Sequence, residues 1–169
     1  MLVDEASALS IRFRLLGVPD RPYRALGAAR VATLPGATHV LRQAESGIEA
    51  YVFWPELAPA AVRYRVEMDG VMGLRVVAGV VEFLDGHGTP RTRVRAPWVA
   101  GASSTSDASM DVVDCEVDRD PRAPWGRPVT PPGREACTLE VSWAKATGPV
   151  LMDPQWTFTG AMTRGRSSH

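Results

Sequence analysis

Three histidines, two cysteines, a local run of carboxylates and five tryptophans hold most of the side chains with chemistry to offer. His39, His87 and His169 share no metal-ligand spacing with one another or with a cysteine. His87 sits in "DGHG", which reads as a turn histidine without a local partner. Ser103, Ser104, Thr105 and Ser106 have no neighbouring base and read as loop. No nucleophile elbow, phosphate loop or dinucleotide fingerprint is present. The residues therefore point to no catalytic group, no metal and no cofactor. Asp107, Asp111, Asp114, Glu116, Asp118 and Asp120 form an acidic stretch. Calcium would want six to eight oxygens from such a run. The EF-hand pattern is missing, and Arg119 and Arg122 supply counter-charges, so a solvated acidic face is the plainer reading.

The tryptophans divide in two. Trp54 and Trp143 lie on apolar strand faces and read as core. Trp98 and Trp125 lie in Pro-flanked segments, "APWVA" and "APWGRPV". An exposed indole can stack on a sugar ring, so these two, with nearby arginines such as Arg127, are the candidate ligand-binding residues. The plainer alternative is that each indole pins a long loop to the body of the protein.

The elements that must position these residues are strands. Leu9, Ile11, Phe13 and Leu15 alternate with Ser10, Arg12 and Arg14. Val62, Tyr64, Val66 and Met68 alternate with Arg63, Arg65 and Glu67, and Leu139, Val141 and Trp143 with Glu140 and Ser142. A period of two places apolar side chains on one face of a half-buried strand. "GIEAYVFW" (47–54) and "GLRVVAGVVEFL" (73–84) are nearly continuous and read as central strands, with Gly79 a bulge or kink. "EFLDGHGTPRTRVR" reads as a hairpin that puts Arg91, Arg93 and Arg95 on the solvated face of an outer strand. "RALGAARVA" is the one short stretch compatible with a helical turn. Turn signals recur at "VPDRP", "LPGA", "MDG", "LDGHGTP" and "TPPG". Frequent turns between short strands predict an all-β fold, an antiparallel β-sandwich of immunoglobulin- or jelly-roll-like type with long Pro/Gly-rich loops.

Residues 96–111 read as a flexible surface loop and 110–117 as a strand carrying Val113, Cys115 and Val117 on one face. Cys115 and Cys137 then flank a Pro/Gly-rich excursion. Either they form a disulfide closing that loop, worth about 3 kcal/mol in the loop-entropy model, or they are two buried thiols; their flanking positions favour the bridge.

The formal net charge is zero, which excludes the basic surplus a nucleic-acid binder needs. No apolar run is long enough for a transmembrane helix, and no basic-then-apolar leader is visible at the start. Eighteen arginines against the single Lys145 read as the signature of a high-GC genome rather than a selected surface.

The segments "GLRVVAGVVEFLDGHGTPRTRV" (73–94), "CEVDRDPRAPWGRPVTPPGREACTLEVSW" (115–143), "GPVLMDPQW" (148–156) and "TGAMTRGRSSH" (159–169) carry a resemblance. They resemble the β-rich region that precedes Kelch-repeat propellers in large secreted proteins of high-GC Gram-negative bacteria. Trp156, Gly160, Met162, Arg166 and His169 match the opening of a Kelch repeat, while Gly148 stands where a Tyr is common before Asp-Pro. The resemblance implies a sandwich over 1–152 and, over 153–169, a linker and the first edge of a truncated repeat. It also implies a non-catalytic secreted or cell-surface module with a propeller downstream in longer relatives; a protein or glycan surface is the partner expected from that setting together with the loop tryptophans. One incomplete repeat cannot build a propeller, so the chain is expected to be a fragment or a truncated form.

Overall fold

The period-two segments become antiparallel ladders in the computed structural model, which describes residues 1–5, 7–17, 23–101, 105–144 and 148–159. The strands are β1 (Leu2–Asp4), β2 (Leu9–Leu15), β3 (Arg24–Leu26), β4 (Ala29–Leu34), β5 (Ala37–Ala44), β6 (Gly47–Trp54) and β7 (Ala61–Asp69). They continue with β8 (Gly73–Val77), β9 (Val80–Leu84), β10 (Pro90–Ala100), β11 (Thr105–Asp107), β12 (Ser109–Val112), β13 (Ala136–Ser142) and β14 (Val150–Phe158). A five-stranded sheet has the order β1-β2-β7-β13-β12. A nine-stranded sheet has the order β3-β4-β5-β6-β14-β10-β9-β8, with β11 also on β10. The two pack as an antiparallel, sandwich-like all-β fold. No helix among the described residues is long and apolar enough to cross a membrane.

The three strands with the cleanest alternation, β2, β7 and β13, are neighbours in the smaller sheet. Their apolar positions, Leu9, Ile11, Tyr64, Val66, Leu139 and Val141, are buried. Their polar positions pair across the outer surface, Arg12 with Glu67 and Arg63 with Glu140. Between the sheets, Trp156 of β14 stacks on Phe13 of β2 with ring centroids 3.8 Å apart and meets Tyr64 of β7 edge-on. Trp54 and Trp143 meet across the sandwich at 5.7 Å, so both are core residues as expected.

Several expected boundaries move. The run 73–84 is two strands, β8 and β9, rather than one. Ala78 and Gly79 both have positive φ, 50° and 73°, which makes them a tight hairpin turn of the twist that suits paired strands. "RALGAARVA" is the β3–β4 hairpin, turning at Gly27 (φ 56°), and not a turn of helix. The segment expected as a loop, 96–111, holds the end of β10, all of β11 and the start of β12. The strand expected over 110–117 ends at Val112; Met110 and Val112 face the core, so by parity Val113 faces out and is exposed, and beyond it Asp114 accepts hydrogen bonds from the Thr138 backbone and hydroxyl.

The boundary expected after Met152 falls inside β14. Pairing with β6 runs from Val150 to Met152 and resumes in the same register from Gln155 to Thr157, and Trp156 is fully buried. Thr159 is still tied to the body, its N–H donating to the Arg91 carbonyl. The "VPDRP" turn, Ser103, Ser104, Lys145 and the residues 160–169 of the repeat-like opening lie outside the described residues.

Candidate functional site

Strand parity decides which side chains reach the outer face of the large sheet. Along β10, Val94 is buried while Arg91, Arg93 and Arg95 point outward, so an even residue such as Trp98 should point inward. It does not, because β10 carries a bulge. Arg95 pairs with Gln155 and Trp98 with Asp153, leaving two residues of β10 opposite one of β14. Pro97 lies in the bulge, and Pro154 lies opposite it. Neither has an N–H to give a ladder, and a bulge is where a sheet interior tolerates proline. The extra residue switches parity, returning Val99 to the core and setting Trp98 outside, 37% exposed.

Register then assembles a cluster around Trp98. Asp153 pairs with Trp98 on one side and, by the register of β14 on β6, lies opposite Tyr51 on the other. Glu49 shares the Tyr51 face two residues away, opposite Gln155 of β14 and Arg42 of β5. The Arg42 Nε stands 3.7 Å from Glu49 Oε2. Phe53, 39% exposed, continues the same face beyond Tyr51.

The electrostatics of this face follow from burial among like charges. Asp153 is only 8% exposed. Burial, then the Glu49 charge, pushes its carboxyl up to about 6, against a smaller lowering by the Trp98 indole N–H. The Tyr51 hydroxyl is pushed up to about 12 by burial, by its hydrogen bond toward Glu49 and by the two carboxylate charges, with Arg42 opposing. Asp153 Oδ1 and Glu49 Oε2 are buried acceptors with no hydrogen-bond partner in the protein. Buried polar atoms left unpaired are costly, and each calls for an explanation.

The other expected candidates sit elsewhere. Cys115 and Cys137 form a disulfide with a Cα–Cα distance of 5.7 Å, closing the 116–136 loop at its base. Both sulfurs are consumed, so their proximity to Asp114 is no metal site. The loop crosses to the large sheet, where Asp118 bonds the β8 edge through Val76 N and Leu74 O, each at 2.9 Å. Arg75, buried on β8, clamps it by donating to Glu82 at 2.7 Å and to the Pro121 and Arg122 carbonyls at 3.1 Å. Arg93 donates to the other oxygen of Glu82. The arginine face expected to be solvated is therefore partly a cross-strand ion ladder on an interior strand, Arg75–Glu82–Arg93, with Arg91 held by Asp85.

Trp125 is 63% exposed at the tip of this clamped loop. Its neighbour Pro124 packs against Gly88, at the β9–β10 turn. Trp98 stands about 25 Å further along β10 at the rise of an extended strand. The two indoles are thus not brought together. Arg127 donates to Asp118 at 2.6 Å and to the Ala123 carbonyl at 3.0 Å, so it staples the loop. The acidic stretch is largely spent in the same way, with Asp111 on Arg119 and Asp120 on Arg122. His87 is the turn residue expected, its backbone N–H on Asp85. His39 is buried with Nδ1 2.8 Å from the Tyr23 hydroxyl, and burial lowers it to about 4, so it is neutral.

Tyr51, Glu49 and Asp153 were not among the candidates. A signal existed for each. All three are polar or aromatic residues at the outward parity of strands otherwise rich in apolar residues. Comparison with protein-family models, with curated proteins and with solved structures finds no match for this chain.

Proposed function

We propose that this chain is a non-catalytic interaction module of a secreted or cell-surface protein, of the kind that stands ahead of a Kelch-type propeller. One observation carries the reading: the Cys115–Cys137 disulfide closes a long loop that is then clamped onto the second sheet. Such bridges form and persist in oxidising compartments. The chemistry of the side chains also supports a surface rather than a reaction centre, since the arginines, the acids and His39 are mostly engaged in pairing or burial. The propeller component rests on sequence resemblance. Trp156 is withdrawn from that resemblance because it is a core residue of the sandwich, so a repeat array would start beyond Thr159.

Fractionation of the native host with an antibody to this chain tests the proposal. The expected result is protein in the secreted or cell-surface fraction, with no free thiol in denaturant until reductant is added. A cytoplasmic pool with two free thiols refutes it.

A second reading, a carbohydrate-binding sandwich, is favoured by one feature. Trp98 is presented on a sheet face beside the buried Asp153, whose Oδ1 has no hydrogen-bond partner.

A further inference from the structure

We propose that the outer face of β10, β14, β6 and β5 is a binding site for a neutral glycan strand, with Trp98 and Tyr51 as its stacking platforms and Asp153 and Glu49 as its hydroxyl acceptors. The inference rests on the second reading above and narrows it to one face, without Trp125 or Arg127.

Geometry supplies the platform. Trp98 and Tyr51 occupy one cross-strand row with β14 between them, so they are about 10 Å apart at ordinary strand spacing. That is about the span of a disaccharide. Phe53 extends the apolar surface along β6. Aromatic side chains offer wide contact area with little rotamer freedom to lose, and they tolerate a wet polar rim.

Acceptors lie between and beside the rings. Asp153 is more than nine-tenths buried, and its Oδ1 has no partner. Glu49 Oε2 is a covered atom on a part-buried side chain; it makes no hydrogen bond and faces the Arg42 Nε at 3.7 Å. A carboxylate accepts only, so these oxygens need donors, and a vicinal diol presents two. Gln155, between Arg95 and Glu49 in the adjoining row, offers both a donor and an acceptor. Both oxygens are covered in the free chain, so a ligand hydroxyl reaches them as the side chains above them shift, and pairing of that kind confers strong selectivity.

Charge balance argues for a neutral ligand. Glu49 is offset by Arg42, and exposed Arg95 stands two residues from Asp153's row. A cationic chain would compete with both arginines, and an anionic chain would meet both carboxylates at close range.

The test is affinity electrophoresis of the intact chain through gels containing mixed-linkage β-glucan, xylan or galactomannan, with alginate and chitosan as charged controls. Wild type is expected to be retarded by at least one neutral polymer, and Trp98→Ala to weaken that retardation at least tenfold. Trp98 is also the cross-strand partner of Asp153, so Asp153→Asn is the second variant. It keeps the shape, replaces an acceptor-only oxygen by a donor, and is expected to weaken binding similarly while the thermal transition stays cooperative and no lower than that of wild type. Trp125→Ala is expected to bind as wild type. No retardation by any neutral polymer overturns the inference. So does retardation by alginate or chitosan alone, or loss of binding in Trp125→Ala but not in Trp98→Ala. These outcomes leave the compartment and disulfide results of the fractionation untouched, so the two proposals fail separately.

Discussion

Asp153→Asn should stabilise the protein above neutrality and leave it unchanged in acid. The folded carboxyl sits near 6 against an unfolded value of 3.8, because burial and the Glu49 charge disfavour its ionised form. A raised acid pKa means that the folded state holds the proton more tightly than the unfolded chain. This contribution is fully present below about pH 3.8 and is lost as pH rises to about 6. A displacement of about two pKa units corresponds to at most ~3 kcal/mol. Solvent screening at the rim of the face reduces the expectation to about 1–2 kcal/mol. Asn removes the charge, keeps the side-chain volume and retains an oxygen for the Trp98 indole. The variant should therefore melt about 3–6 °C above wild type at pH 7.5 and together with it at pH 4. Thermal or urea transitions at half-unit steps between pH 4 and 8 measure this directly. A difference that is constant with pH would refute the reasoning, because the effect would then be packing and not ionisation. A variant less stable than wild type at pH 7.5 would do the same, and would show that the carboxylate is held by a partner.

Two further perturbations test the framework that presents this face. Replacing both Cys115 and Cys137 by Ala opens a loop closed over a sequence separation of 22 and should cost about 3 kcal/mol. Urea midpoints of the variant and of the reduced wild type should then agree, and an unchanged midpoint in reductant would exclude a stabilising bridge. Arg75→Met leaves Glu82 buried with only the half-exposed Arg93 and releases the Pro121 and Arg122 carbonyls. A loss of about 3–5 kcal/mol is expected from breaking one partner of a buried pair. Adding Glu82→Leu should recover part of it, and a double variant no better than the single one would contradict the pairing.

The fold class was legible because β2, β7 and β13 alternate strictly, and alternation has one structural meaning when one face is buried. The hairpin of β9 and β10 was legible for the same reason, with its Asp-Gly-His-Gly turn. What escaped was mostly parity and termination. Apolar continuity from Gly73 to Leu84 hides a turn, since Ala78 carries no turn signature and only Gly79 marks it. The role of Arg75 depends on its hairpin neighbour Glu82 and on the carbonyls of a loop 46 and 47 residues further along the chain, and no local pattern announces that meeting. The site was legible only at Trp98. Its partners depend on which strands become neighbours, and β14 meets β6 and β10 from about a hundred and about sixty residues away.

The placement of β14 explains why Asp153-Pro154 misleads. An acid followed by proline, late in an apolar strand, resembles an exit, and in an edge strand it would serve as one. In this sheet it is the crossing point of both roles of the molecule. The hairpin array β3 to β6 and the hairpin array β8 to β10 have no mutual pairing in the large sheet except through β14. Val150, Met152 and Trp156 face the core and bind these arrays to the smaller sheet. On the opposite parity, Asp153 and Gln155 stand between the side chains of β10 and those of β6. The proline is tolerated because β10 bulges opposite it, and that bulge is also what turns Trp98 outward. One local departure from regular pairing therefore satisfies the backbone and creates the exposed indole. A boundary drawn at residue 152 would divide the strand that makes the large sheet continuous and would remove every β14 residue of the candidate face.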